Sequence, residues 1–304
     1  MKEELNIPNI IKEFHLEKFA YNVNQGKLKI DVLNNIYNDY CNTQELFRDE
    51  SKKITSNFNN LSKIIHSLRS RIKEPNHLIA KIIRNFDRNA EKYKNICKDN
   101  YKNIITDLIG IRIIILGKED WKKVHDFLKN FFLNDNRFYL TKENGYTCNE
   151  NPHKCLVEQP VIYTAGEREN SDLYTEYKDV FEIKSSMEGY RSIHYVGRFE
   201  NFICEVQVRT IFDEGWIEFD HEIKYPKYTE NKIKGDFLWL MSNMSKTSQD
   251  MISFYRKYPK SFILGKEQRK EPIVKSKKGI DESITSSEEI QEFADRIKQF
   301  IYQH

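Results

Sequence analysis

No apolar run in these 304 residues approaches the roughly 20 positions a helix needs to cross a bilayer. Runs such as Ile111 to Leu116 are broken by Arg112, so no transmembrane segment and no membrane partner is expected. The N-terminus lacks an apolar secretion signal, and the five cysteines, at 41, 97, 148, 155 and 204, are odd in number and scattered. Both features argue against secretion and a disulfide framework and predict a cytoplasmic, reducing environment. Cys148, His153 and Cys155 crowd together, but three ligands fall short of the four a structural zinc needs, so no metal is expected there. Net charge is missing too: 49 basic against 46 acidic residues leave only +3, too little for a polycation's attraction to nucleic acid. No G-x-x-x-x-G-K-S/T loop and no G-x-G-x-x-G occurs, which disfavours a P-loop enzyme, a protein kinase and a dinucleotide-dependent oxidoreductase. Internal repeats are absent as well.

What is present suffices for a globular core, with 39% hydrophobic and 13% aromatic residues in a length that suits one large or two ordinary domains. Charge is unevenly distributed. Between Leu61 and Lys102 eleven Lys or Arg stand against four acids, an anion-binding stretch. Residues 1 to about 70 have the 3-4 apolar spacing of helices, at Ile30, Leu33, Ile36 and Tyr37 and again at Leu61, Ile64, Ile65 and Leu68. Pro75 opens a further helix with Leu78, Ile79, Ile82 and Ile83 inward and Lys81 and Arg84 on neighbouring turns.

Thr106 to Leu116 is β-branched and continuously apolar, as a strand covered on both faces would be, with Asp107 at its entry. Residues 119–133 return to helical spacing, and 134–179 are polar and turn-rich, as a long loop over a site would be. Strands follow at 180–184 and from Tyr190 to Phe199, then Cys-Glu-Val-Gln-Val-Arg-Thr over 204–210. Alternation puts Glu205, Gln207 and Arg209 on one face of that strand and Cys204, Val206 and Val208 on the other. Alone, this pattern serves a half-exposed polar strand as well as a metal-phosphate site.

Beyond residue 228 the chain is helical, with Phe237, Leu238, Met241 and Met244 expected to bury. Residues 265–285 read as a linker, and Ser286-x-x-Glu289 caps a last amphipathic helix carrying Ile290, Phe293, Ile297 and Phe300.

Together the chain offers two separated strand acids, Asp107 and Glu205, and a basic cluster of Arg71, Lys73, Lys81 and Arg84. Tyr190 follows a glycine, with His194 four residues on. Paired carboxylates can hold Mg²⁺ against phosphate oxygens, the cations can neutralise a polyphosphate, and a tyrosine can stack on a base. Nucleotide phosphoryl transfer fits that set best.

Arg71-Ile-Lys73 with Lys81, D-L-I-G-I-R at 107–112, G-Y-R-S-I-H at 189–194, and E-V-Q-V-R-T at 205–210 with Asp220-His221 resemble, in order, the synthetase domain of RelA/SpoT-type alarmone synthetases. The resemblance implies an α+β fold, a mixed five-stranded sheet flanked by helices. It implies a domain over 50–230 between an N-terminal helical region, 1–49, and a C-terminal helical extension, 231–304. It implies transfer of pyrophosphate from ATP to the 3′-hydroxyl of GDP or GTP. By the same resemblance Asp107 and Glu205 hold Mg²⁺, and Glu205 takes the hydroxyl proton. Arg71, Lys73 and Lys81 contact ATP phosphates, with Arg84, Arg112 and Arg209 grouped beside them. Tyr190 stacks on guanine, His194 lies beside the acceptor, and Gln207 lines the site. Lys184 and Glu188 stand on the guanine side, where Glu188 departs from the usual Asn or Ser and can accept from guanine N1 and N2. Asp220 replaces a more usual glutamate. His125-Asp126 lacks the other ligands of the hydrolase found in bifunctional relatives and reads as surface helix. A small, single-activity synthetase is expected, its terminal helices open to a homo-oligomer or an antitoxin. Two alternatives stay open: a toxin branch whose acceptor is the 3′ end of tRNA, and a non-enzymatic nucleotide-sensing module.

Overall fold

The computed structural model describes residues 5–88, 90–132, 154–166, 174, 176–177, 179–186, 189–224 and 232–257. The chain divides into two units, Met1–Lys257 and Tyr258–His304. The expected linker at 265–285 and the helix after Ser286 lie outside the described residues. In the first unit α1 (Ile7–Glu13), α2 (Tyr21–Asn24) and α3 (Ile30–Asn57) precede β1 (Ser67–Ile72) and α4 (Pro75–Arg88). Then come α5 (Ala90–Tyr93), α6 (Tyr101–Ile104), β2 (Ile109–Ile115), α7 (Trp121–Phe132), β3 (Lys154–Leu156), β4 (Val161–Ala165) and β5 (Glu182–Ser186). β6 (Ser192–Phe199), β7 (Phe202–Thr210), α8 (Ile211–Lys224) and α9 (Lys232–Lys257) complete it. No described helix is long and apolar enough to cross a membrane.

The sheet is mixed, as expected, with seven strands in place of five, in the order β1-β2-β7-β6-β4-β5 and with β3 paired to β6. β2 and β7 are parallel, as are β4 and β5, and the remaining pairs are antiparallel. β2 is buried at every position but Arg112, the pattern of a strand covered on both faces. Ile109, Ile111, Ile113, Cys204, Val206 and Val208 share one core with Leu33, Ile36 and Ile54 of α3 and Trp121, Val124 and Leu128 of α7. Truncating one such fully buried isoleucine to alanine costs about 2–5 kcal/mol. In α4 the inward residues are those the spacing predicts, Leu78, Ile79, Ile82 and Ile83.

Several expectations are corrected. The helical reading of 61–70 holds only as far as the short 3-10 helix Asn59–Lys63, and from Ser67 the chain is β1, an edge strand carrying Arg69 and Arg71. Part of the expected loop at 134–179 is sheet, since β3 and β4 both pair with β6. α3 runs unbroken through residues 49 and 50. Tyr190 precedes β6 rather than opening it. His125 is buried at 3% exposure, not on a helix surface. Its Nδ1 shares a 3.1 Å hydrogen bond with the Tyr195 hydroxyl, and burial pushes the imidazole down to about 4. Cys155 is disulfide-bonded, while Cys41, Cys97 and Cys204 are not in disulfides. On α9 Leu238 is buried as expected, but Phe237 and Met244 are 42% and 57% exposed, and the buried face is completed by Ser242, Ser245 and Gln249.

Candidate active site

Alternation along β7 sorts its side chains as expected. Cys204, Val206 and Val208 enter the core, and Glu205, Gln207 and Arg209 turn to the other face. Strand register then builds rows across that face. Arg71, Gly110 and Glu205 form one row; Arg69, Arg112, Gln207 and His194 form the next. Glycine at 110 matters because a Cβ there would come within 3.3 Å of Arg71 Cγ and 3.4 Å of its Nε. The Arg71 side chain therefore lies directly over the β2 backbone at Gly110, within reach of the charges of Asp107 and Glu205. Burial lowers its guanidinium, Arg112 and Arg209 lower it further, and Asp107 and Glu205 raise it.

Asp107 stands just before β2 and faces the β1–α4 junction. Its Oδ2 accepts ion pairs from Lys73 Nζ at 2.8 Å and Lys81 Nζ at 2.9 Å, all three side chains largely enclosed. Burial pushes the carboxyl up, but the two ammonium groups outweigh it and hold Asp107 below the usual carboxylate range. Burial pulls Lys73 down against the attraction of Asp107, and Lys81 and Arg71 pull the same way as burial. The cluster thus holds more positive charge than Asp107 balances. α3 fixes the junction through the Tyr40 hydroxyl, which donates to the Lys73 carbonyl at 2.6 Å. Asp107 Oδ1 is buried and has no hydrogen-bond partner among the described residues.

Glu205 is held differently. Its Oε2 accepts from Gln207 Nε2 at 2.6 Å, and its Oε1 lies 3.2 Å from His194 Nδ1. Burial raises the carboxyl most, His194 and then Lys81 lower it, and the outcome is below the ordinary value. Asp107 acts on Glu205 in the raising direction, so the two carboxylates share one field. His194 Nε2 in turn meets the Tyr190 hydroxyl at 2.8 Å. Arg209 Nη2 donates to that hydroxyl at 3.0 Å and to Gln207 Oε1 at 2.5 Å, which closes a ring through Tyr190, His194, Glu205, Gln207 and Arg209.

Arg209 also donates from Nη1 to Glu214 at 2.8 Å and from Nε to Ser192 at 3.2 Å. With its donors engaged inside the protein, it positions neighbours. Arg112 pairs with Glu214 at 2.7 Å and Glu218 at 3.1 Å, and its Nε is buried without a partner among the described residues. Arg84 lies one turn beyond Lys81, partly exposed. Lys184 sits on β5 in register with Tyr163, paired to Glu182 at 2.9 Å. Glu188 lies outside the described residues, as do Cys148 and His153.

Reading the sequence missed three contributors. Tyr163, within the stretch taken for a loop, packs 4.8 Å from the His194 ring and 5.5 Å from the Tyr190 ring, centroid to centroid. Glu214 bridges Arg112 and Arg209 from the first turn of α8. The available signal was Thr210-x-x-Asp213, a helix N-cap in which Asp213 N donates to Thr210 Oγ1 at 3.1 Å, placing α8 hard against the end of β7. The third is Ser242 of α9, which donates to the Gly189 carbonyl at 3.1 Å.

No cluster of three or more His, Cys, Asp or Glu side chains that could hold a metal occurs among the described residues. Two carboxylates, one with a free buried oxygen, are nevertheless the protein share expected for Mg²⁺, which takes one or two carboxylates and completes its shell with water and substrate phosphates.

The family model described as "Region found in RelA / SpoT proteins" matches residues 70–230. No curated protein matches the chain. Among solved structures, small alarmone synthetase 1 from Bacillus subtilis is 16% identical, with 69% of this chain and 92% of that chain covered and a TM-score of 0.46. Small alarmone synthetase 2 from Bacillus subtilis is 19% identical, with 72% and 100% covered and a TM-score of 0.44. A GTP pyrophosphokinase family protein from Streptococcus pneumoniae is 15% identical, with 77% and 96% covered and a TM-score of 0.44.

Proposed function

The chain belongs to the RelA/SpoT family, and from that membership we propose that it is a pyrophosphotransferase acting from ATP onto the 3′-hydroxyl of GDP or GTP. A bond forms between the acceptor 3′-oxygen and the β-phosphorus of ATP. The bond from that phosphorus to the α–β bridging oxygen breaks, and AMP leaves with the oxygen. The observation that carries this reading is that Asp107, at the entry to β2, and Glu205, on β7, act together on the Arg71 guanidinium lying over Gly110, with a surplus of positive charge beside them. Positioning and charge stabilisation are what phosphoryl transfer needs from a protein.

Lys73, Lys81 and Arg71 bind the ATP phosphates, with Arg112 Nε and Arg84 available to the same anion. The unpartnered Asp107 Oδ1 and Glu205 would hold Mg²⁺. When bound, that ion neutralises phosphate oxygens and charge on the transferring group. Glu205, kept ionised by His194 and Lys81, takes the hydroxyl proton as the new bond to phosphorus forms. Arg209 and His194 hold the Tyr190 hydroxyl, so its ring presents a fixed plane to guanine. Arg209 lies over one ring face, 5.6 Å from Cζ to centroid, and the base stacks on the other.

The test supplies labelled ATP to the purified protein with GDP, GTP or bulk tRNA. Label is expected on the guanine nucleotide. Label on tRNA alone would overturn this reading and assign the chain to the branch that modifies the tRNA 3′ end. Glu205→Gln is expected to lower kcat by about 10²–10⁴-fold while the melting curve stays that of the parent protein.

A further inference from the structure

We propose that Ser242 of α9 is a positioning residue for the acceptor nucleotide, latching the turn that carries Tyr190. The inference rests on the reading of Tyr190 as the acceptor-stacking side chain, and it adds an element that lies beyond the matched family region, which ends at residue 230.

Tyr190 is flanked by Gly189 and Arg191, and one serine holds both. Ser242 Oγ donates to the Gly189 carbonyl at 3.1 Å and accepts from Arg191 Nη1 at 2.9 Å. The Ser242 carbonyl accepts from the same Nη1 at 3.2 Å. The side chain is 3% exposed, so water is not at hand to replace these partners. The approach is also steric. Gly189 has φ +88°, a left-handed conformation natural to glycine, and a Cβ there would collide with both Oγ and Cβ of Ser242.

α9 is registered independently on either side of the latch. One turn earlier, the Leu238 carbonyl accepts from Trp216 Nε1 at 2.8 Å. One and two turns later, Ser245 Oγ and Gln249 Nε2 donate to Asp213 Oδ1 at 3.1 and 2.8 Å. Leu238, Ser242, Ser245 and Gln249 follow the 4-3-4 spacing of one helical face, pinned to α8 and to the turn before β6. The Tyr190 backbone is therefore set from α9 and its hydroxyl from Arg209 and His194.

The test compares Ser242→Ala with the parent protein in full-length form, measuring KM for guanine nucleotide, KM for ATP, kcat and melting temperature. The acceptor KM is expected to rise about three- to tenfold, the effect of one or two lost hydrogen bonds, with ATP KM and kcat within about twofold. Ser242→Cys, similar in size and a weaker donor, is expected to fall between the two and serves if the alanine variant folds poorly. Gly189→Ala is expected to be worse than Ser242→Ala, and Ser242→Gly in its background to recover part of the loss, since it removes the atoms the new methyl meets. Tyr190→Ala calibrates the series. An acceptor KM unmoved by Tyr190→Ala would sink the acceptor reading and the latch with it. A KM raised by Tyr190→Ala but unmoved by Ser242→Ala, or raised equally for both substrates, would overturn the latch alone.

Discussion

Gly110 shows how much one missing methyl can decide. Because the Arg71 side chain crosses the space a Cβ would occupy, larger residues at 110 displace the Arg71 side chain without touching the core. Gly110→Val is expected to raise the KM for ATP by about tenfold, with the melting temperature within about 2 °C of the parent, as read by steady-state kinetics and calorimetry. His125 makes a different prediction. Unfolded, its imidazole takes up a proton near 6.5, whereas folded it does so only near 4. Between those values the unfolded chain binds more protons, so stability is full above 6.5 and falls by about 3 kcal/mol as the pH drops to 4. Denaturation midpoints of His125→Gln should lack that part of the acid slope. Asp107, Lys73, Lys81, Tyr190, His194 and Glu205 were legible in the sequence because strand alternation and motif order suffice to group them. The saturation of Arg209 was not, because its partner Glu214 comes from the following helix and no spacing within β7 announces it.

At the scale of elements, the pattern reading succeeded where burial is one-sided and long, as in α4 and α7, or complete, as in β2. It failed at β1, whose Ser-Leu-Arg-Ser-Arg-Ile sequence offers two partly buried apolar residues on an edge strand, and at β3 and β4, which are short and follow a polar stretch. It also misjudged α9, because a helix that buries hydroxyls and an amide against a carboxylate looks inside out to a hydrophobicity argument. Asp213 is the centre of that packing. Burial raises its carboxyl, against hydrogen bonds from Thr210, Ser245 and Gln249 and the nearby Arg191. Asp213→Ala leaves those donors unmatched and should cost about 2–4 kcal/mol in chemical denaturation, while Asp213→Asn, which keeps an acceptor oxygen, should cost less.

For the whole molecule, a net charge of +3 conceals a strongly polarised interior site. Arg71, Lys73, Lys81 and Arg112 gather around β2, where Asp107, Glu214 and Glu218 answer them only in part. ATP affinity should therefore respond to ionic strength although the protein as a whole is nearly neutral. Raising KCl from about 50 to about 300 mM is expected to raise the ATP KM severalfold, and the dependence should flatten in Lys81→Met.

The closed circuit around Glu205 has a direction. A guanidinium can only donate and a carboxylate can only accept, so the Gln207 amide between Arg209 and Glu205 has one permitted orientation. The other path runs from Arg209 to the Tyr190 hydroxyl, which accepts from it, and on through the two nitrogens of the His194 ring to Glu205. Both paths carry polarity outward from one buried cation and end on the same anion, through a single relay on one side and two on the other. The circuit thus reaches the Glu205 carboxylate from two sides, one oxygen held by Gln207 and the other by His194.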